Sequence, residues 1–537
     1  MASTDSRGST LNSGTLGGMP GVQPVNHAPS AATSKSGTAL VLGLAGAAFL
    51  LYVLTNTRYN FFRDEFYYIA CGEHLAWGYV DHPPLIAVLA RLSRLLFGGS
   101  LGGLRLLPAL AGATTVGLAG LMARDLGGGR AAQGLAALGA LVAPVFLANF
   151  TLFTLNAFDI VFWSLALRIA IGIFKGGSPK LWLRLGLVAG VGLLNKHSVL
   201  FLLAGLLFGL ALTPARRHLR TRWPWIGGAL VLALVAPHLV WQARHGWPTL
   251  EFMSNARQFK NAPIAPLGFL IGQTMLVHPF TAPVWIAGLG WLLLSAAGRP
   301  FRALGWAYLF ILVVFIATQA KVYYLAPYYP LLLAAGGVAT ERLARARRLR
   351  WLPGALAGLW LAGGALSAPI VIPVLSPERL ERYIQALHFQ ERASERHRPP
   401  RLTQTYADEF GWEAMVAKVA AVYARLTPEE RARCGIFASN YGEAGAIDFY
   451  GPRYGLPKAM SGHNSYFLWG PGSRAVDILI TVGEKREDVE KSFRRVVEMD
   501  RTHNEWCMPY EDDVPILLAR EPRAPLAEIW PRTKKYI

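Results

Sequence analysis

Hydrophobic positions along this chain come in long runs, not in the alternating or 3.6-residue periods of a half-buried strand or a surface helix. The first run spans Thr38–Thr55. Others lie at Leu101–Met122, Ala131–Phe150, Ala157–Phe174, Leu181–Leu194 and Val199–Leu212. More follow at Trp225–Trp241, Leu267–Leu294, Leu304–Thr318, Leu325–Thr340 and Leu352–Val374. Crossing ~30 Å of hydrocarbon takes about 20 residues, so the shortest runs cross only with help from their flanks. Taken one span per run, the pattern predicts eleven transmembrane helices between residues 38 and 374. The run Leu267–Leu294 is overlong and holds His278-Pro279 and Pro283, which predicts a helix broken beside a cavity. Pro84–Phe97 differs, because Arg91 and Arg94 fall among leucines; it predicts an amphipathic helix lying in the membrane interface.

The polar stretches complete the outline. Residues 1–37 are rich in Ser, Gly, Thr, Pro and Asn and predict a disordered cytoplasmic tail. No charged head precedes a short apolar core there, so a cleavable signal is not expected. Residues 375–537 mix charges of both signs. They predict a helix at Trp412–Leu426 and strands at 435–439, 475–483 and 515–520, hence a small α/β domain. No internal repeat is visible.

Composition agrees with a polytopic protein: 53% of the residues are hydrophobic and 16% charged, against about 25% charged in soluble domains. The net charge of +20 would suit nucleic acid if it lay on one surface. Instead it gathers between apolar runs, at Arg216, Arg217, Arg220 and Arg222 and at Arg342, Arg345, Arg347, Arg348 and Arg350. With the N-terminus inside, these fall in the inner loops 213–224 and 341–351, where Asp125 and Glu341 are almost the only acids of the inner side. An odd number of spans then places residues 375–537 on the outer face. Cys434 and Cys507 either pair there or are two buried thiols.

Candidate chemistry concentrates in the outer loop 56–100. Its stretch Arg63–Leu85 reads RDEFYYIACGEHLAWGYVDHPPL, with acids at Asp64, Glu65 and Asp81 and a base at His82. Carboxylates held at the edge of hydrocarbon are costly to desolvate and mark pathways or reaction centres. Asp159, in NAFD, starts a span on the same side, and Lys321, Tyr323 and Tyr324, in KVYY, start another.

In this order and topology the acid pair, DHPPL, NAFD and KVYY resemble the membrane glycosyltransferases that use polyprenyl-phosphate sugars. The pattern is similar to the lipid A aminoarabinose transferases within the wider protein O-mannosyltransferase superfamily. The resemblance covers residues 38–374 and implies a GT-C fold, a transmembrane catalytic domain and a periplasmic α/β domain at 375–537. It also implies transfer of one sugar, with inversion, from an undecaprenyl- or similar polyprenyl-phosphate carrier to a lipid, glycan or protein acceptor at a bacterial inner membrane. Two positions depart from those enzymes: His82 stands where they have lysine, and Tyr67 where they have arginine.

The chemistry of such a reaction assigns roles. A hydroxyl acceptor loses a proton on attack, and Asp64 is the expected base. Glu65 and Asp159 are expected to position the base or the sugar. The departing phosphate needs cations, from His82, Arg63, Arg257, Lys260 or Lys321. Tyr67, Tyr79, Asp81, Tyr323 and Tyr324 complete the expected donor site. His463, Asn464 and Tyr466, in SGHNSYFLWGPG, either contact sugar or pack the outer domain onto the membrane half. Lys196, in NKHS, either meets a phosphate or snorkels to the interface. Phosphate leaves readily, so no cofactor is required; a divalent metal on Asp81, His278 and His463 is possible but not expected. A transporter or lipid-carrier flippase is the main alternative, although its acids would lie at the bilayer midplane. A sensory protein acting through its outer domain would leave the membrane-side acids unexplained.

Overall fold

The computed structural model describes residues 31–390, 395–472 and 476–537. Its membrane half opens with α1 (Ala31–Thr55), α2 (Arg63–Glu73), α3 (Leu85–Phe97) and α4 (Leu101–Asp125). Then come α5 (Arg130–Val142), α6 (Pro144–Phe150), α7 (Leu155–Phe174), α8 (Leu181–Asn195), α9 (Val199–Leu212) and α10 (Arg222–Arg244). The rest are α11 (Pro248–Asn255), α12 (Pro266–Leu276), α13 (Ala282–Leu294), α14 (Arg302–Ala317), α15 (Tyr329–Ala346) and α16 (Leu352–Val371). Because α1 begins at Ala31, residues 31–37 of the expected tail are helical, and residues 1–30 lie outside the described residues.

By length and apolarity, 7 helices can cross a membrane, or up to 10 if each of three bent pairs counts as one span. The one expected run outside that count, Leu181–Leu194, forms α8, whose 15 apolar residues would need help from their flanks to cross. The expected break in Leu267–Leu294 is present: α12 and the helix that follows it meet at 92°, with His278 at φ +82°. Two other runs bend as well, by 62° between α5 and α6 and by 111° after α9. Helix α15 sits at the centre, packed on α4, α5 and α13. Helix α3 buries Ile86, Ala87, Ala90 and Ser93 and exposes Val88, Leu92, Leu95 and Leu96, as an interfacial helix does.

Residues after 375 carry a five-stranded sheet. Its strands are β1 (Cys434–Ala438), β2 (Ala459–Met460), β3 (Ile478–Val482), β4 (Phe493–Arg501) and β5 (Pro515–Pro522), in the order β2-β1-β3-β5-β4. Strand β1 runs parallel to β2 and β3; β5 runs antiparallel to β3 and β4. The helix expected at Trp412–Leu426 spans Trp412–Ala424. Strand β4 was not legible as a strand, since its charged residues face solvent at the sheet edge. Cys434 and Cys507 are both buried and not disulfide-bonded.

The two halves share a core. Phe66, Ile69 and Ala70 of α2 pack in one apolar cluster with Trp412, Val416, Ala444 and Ile447 of the α/β domain. Beneath it lies an ionic junction. Arg105 of α4 grips Glu65 of α2 with two contacts of 2.8 Å and reaches Glu409 at 3.0 Å. Its Nη1 meets the Asn56 carbonyl at 2.6 Å, and Nη2 also reaches that of Asn60 at 2.9 Å. Each nitrogen of the guanidinium thus has an acceptor within the protein.

Candidate active site

Helix α2 starts with Asp64 and Glu65 in its first turn, where the positive end of the helix dipole favours carboxylates. The helix turns them in different directions. Glu65 is 0% exposed; besides Arg105 it accepts from the backbone amides of Phe62 and Phe153, each at 2.8 Å. Both its oxygens are therefore occupied, and it acts on the site by holding α2 in place. Asp64 stays partly exposed and accepts a hydrogen bond of 2.8 Å from the Tyr441 hydroxyl. Burial pushes its carboxyl above the usual range, while Arg63, the Tyr441 hydroxyl and Lys260 pull it back only in part. A carboxylate raised in this way is a stronger base.

Around Asp64 stands a ring of charge. Arg63 stacks over Tyr441 with its guanidinium carbon 4.8 Å from the ring centre, and donates to the Tyr510 hydroxyl at 2.8 Å. Lys321 and Lys260 converge on one carboxylate, Glu395, at 2.7 and 3.8 Å. Burial alone would raise Glu395, yet those two ammonium groups hold it down at about 2. Burial would lower Lys321, but Glu395, Tyr324 and Asp64 keep it above its ordinary value. Arg257, one turn before Lys260, is exposed and makes no ion pair among the described residues.

A second group adjoins the first through Tyr323 and Tyr324. Asp159 of α7 is 1% exposed and accepts from the Ser198 hydroxyl at 2.6 and 2.7 Å. Lys196 lies 3.6 Å from Asp159, donates to Asn156 at 2.7 Å and sits 4.8 Å from the Tyr324 ring centre. Lys196 is thus turned inward, and the snorkelling reading does not hold.

The DHPPL loop is built differently from expectation. Asp81 accepts from the Tyr67 hydroxyl at 2.8 Å, and Tyr67 stacks on Tyr441. His82 is 1% exposed, stacked on Tyr79, with Nδ1 on the Pro83 carbonyl at 2.8 Å. Tyr79 donates to the Cys71 carbonyl at 2.9 Å. His82 and Tyr79 therefore brace the loop from within, and the structure does not place His82 where a phosphate could reach it.

The 461–466 segment packs rather than opens. Ser465 meets the Tyr67 hydroxyl at 2.8 Å and accepts from the Val80 amide at 3.1 Å. His463 uses Nδ1 for the Tyr441 amide and Nε2 for the Ile537 carbonyl, so neither nitrogen is left for a ligand. The Tyr466 hydroxyl donates to Asp448 at 2.9 Å, and Asn464 holds the Ile537 amide at 3.2 Å. His278, at the helix break, lies against Phe280 and Gly363. Among the described residues no group of three His, Cys, Asp or Glu could hold a metal, so the trio Asp81, His278 and His463 does not assemble.

Sequence reasoning missed Tyr441 and Glu395. Tyr441 had a signal: it follows β1 directly and opens a helix capped by Asn440, whose Oδ1 accepts from Gly442 and Glu443. The end of a parallel strand before a capped helix is where α/β folds place functional groups. Glu395 had none, being one acid in an irregular basic stretch.

The geometry agrees with what this chain is similar to. Residues 81–241 match the model of the dolichyl-phosphate-mannose-protein mannosyltransferase family. A lipid A galacturonosyltransferase, RgtD of Rhizobium johnstonii, is 28% identical over 262 residues, 47% of this chain and 54% of the relative. The chain thus spans about half the length of that curated relative. ArnT of Cupriavidus metallidurans shares the fold, with a TM-score of 0.60, 16% identity and coverage of 90% of this chain and 98% of that one. The same protein bound to undecaprenyl phosphate gives a TM-score of 0.58. The mycobacterial arabinofuranosyltransferase AftD gives 0.50 at 13% identity, over 90% of this chain and 40% of that one. The chain thus shares its fold with ArnT, and its matched segment and curated relative make it similar to the GT-C membrane glycosyltransferases.

Proposed function

We propose that this protein transfers a single sugar from a polyprenyl-phosphate carrier to an acceptor on the side of the membrane that bears the α/β domain. The observation that carries the reading is Asp64: a partly exposed carboxylate of raised basicity, fixed by Tyr441 and bordered by Arg63, Lys260 and Lys321. Asp64 takes the proton of the acceptor hydroxyl as its oxygen attacks the anomeric carbon. The bond from that carbon to the phosphate oxygen breaks, and polyprenyl phosphate departs with the electron pair. One displacement inverts the anomeric centre. Lys260 and Lys321 already converge on a single anion, and the donor's phosphate is the anion they are suited to stabilise. Asp159 and Lys196, at the edge of the same site, are placed to orient the sugar. Phosphate is a good leaving group without a Lewis acid, so the step needs no metal. The distribution of arginine along the loops supports placing this face on the non-cytoplasmic side, which in a bacterial inner membrane would be the periplasm.

RgtD is named for lipid A, so a lipid A-type glycolipid is the first acceptor to offer. The test is transfer of radiolabelled sugar from undecaprenyl-phosphate donors by the purified protein in detergent. A labelled, inverted product lost in Asp64→Asn is the expected result. Carrier movement across proteoliposomes without any transfer would replace this reading with that of a flippase.

A further inference from the structure

The end of the membrane half that faces away from the α/β domain holds a second built feature. After α9 the chain bends by 111° into a short 3-10 helix, Pro214–Arg220, and α10 begins at Arg222. Arg216, Arg217, Arg220 and Arg222 are all exposed and make no ion pair among the described residues. The acids of this end are taken: Asp125 by Arg168 at 2.8 Å, Glu341 by Arg345 at 2.9 Å. Below the turn lies a cavity of about 200 Å³ lined by Ser178, Trp182, His218, Thr221, Arg222 and Trp223. The His218 ring centre stands 5.9 Å from that of Trp182, and the Arg222 guanidinium carbon 5.1 Å over Trp223.

We infer that this cavity binds the phosphodiester headgroup of an anionic membrane lipid. A guanidinium, an imidazole and a serine hydroxyl supply donors for phosphate oxygens, and the three further arginines add long-range attraction. The volume lies below the ~300 Å³ at which sites for whole small molecules begin, so it admits a headgroup and leaves the chains outside. Leu212 and Trp225, 53% and 64% exposed beside the turn, give acyl chains an apolar surface at the level where indoles border a bilayer. A soluble phosphate compound would have no use for that surface. Arginine clusters also orient membrane proteins without binding anything; this one has in addition a cavity that Arg222 lines. The site stands apart from Asp64 and does not depend on the proposed activity.

Thermal unfolding of the full-length protein in detergent tests it, with phosphatidylglycerol, phosphatidylcholine or glycerol 3-phosphate added. Phosphatidylglycerol is expected to raise the wild-type midpoint by a few degrees and the other two to leave it unmoved. Arg222→Gln should abolish the rise, as should Ser178→Phe, which keeps every charge and fills the cavity. A triple Arg347→Gln, Arg348→Gln, Arg350→Gln variant should retain it. A rise that survives Ser178→Phe, or is lost equally in the triple variant, would reduce the effect to diffuse charge and overturn the site. An equal rise with glycerol 3-phosphate would overturn the assignment to a lipid.

Discussion

Asp64 and Glu65 are neighbours of the same charge class, and one turn of helix gives them opposite fates. Glu65 points into the protein and is consumed by Arg105; Asp64 points toward Tyr441 and the lysines. Asp64→Asn is expected to lower transfer to a hydroxyl acceptor about 10²–10⁴-fold while the protein keeps its melting point. Wild-type turnover in that variant would remove Asp64 from the role of base. The pH dependence follows with a definite sign. Asp64 works as a base only when ionised, so activity is full above its raised pKa and falls as pH drops through it. The Tyr441 hydroxyl lowers that pKa by donating to the carboxylate, so Tyr441→Phe should move the acid limb of kcat/KM to higher pH. An unmoved limb would show that another group titrates. The motif letters gave the acid pair but not its division of labour, because a helix's facing depends on partners such as Arg105 that are distant in sequence. His82 shows the same limit: beside Asp81 it looks like a phosphate contact, and only packing under Tyr67, Tyr68 and Tyr79 reveals a brace.

At the scale of elements, apolar runs announced the membrane helices because a bilayer demands length and apolarity together. Bends are less legible: His278-Pro279 marked one, whereas the turn after α9 has only Pro214 to show for it. Close helix contact was invisible too. Gly288 of α13 faces the backbone of α15, where a Cβ would meet the Leu332 carbonyl and the Gly336 backbone. Backbone cannot rotate aside as a side chain can, and small residues at such crossings are what membrane helices pack by. Gly288→Val should therefore push α13 off α15 and cost about 1–3 kcal/mol. The check is a lowered thermal midpoint relative to Gly290→Val, whose position is open. Equal midpoints for the two variants would mean that this crossing is looser than drawn.

Across the whole molecule, acids buried at the junction of the two halves set the response to pH. Burial raises Glu409 from 4.5 to about 8, with Arg105 opposing, and raises Asp408 from 3.8 to about 7, with Arg63 opposing. Between those limits the folded protein holds more protons than the unfolded chain, so stability falls as pH rises through the window. The thermal midpoint in detergent should be higher near pH 5 than near pH 8, and Glu409→Gln should flatten the difference. A midpoint that climbs with pH would reverse the sign and discredit the buried pair. The α/β character of residues 375–537 was readable from three strands, but not its seat: nothing in the string of letters says that Glu409 belongs to Arg105. That pairing also has a dimension in time. Glu65 leaves the ribosome 40 residues before Arg105, whereas Glu409 follows 304 residues later. At ~5–20 residues per second this is about 15–60 s of synthesis, during which the arginine has one acidic partner in place of two. The junction closes only when the polypeptide has been made through residue 409, so it records near-completion. A chain that stops short of residue 409 would carry the open junction permanently, a lasting chemical difference between an aborted product and a finished one.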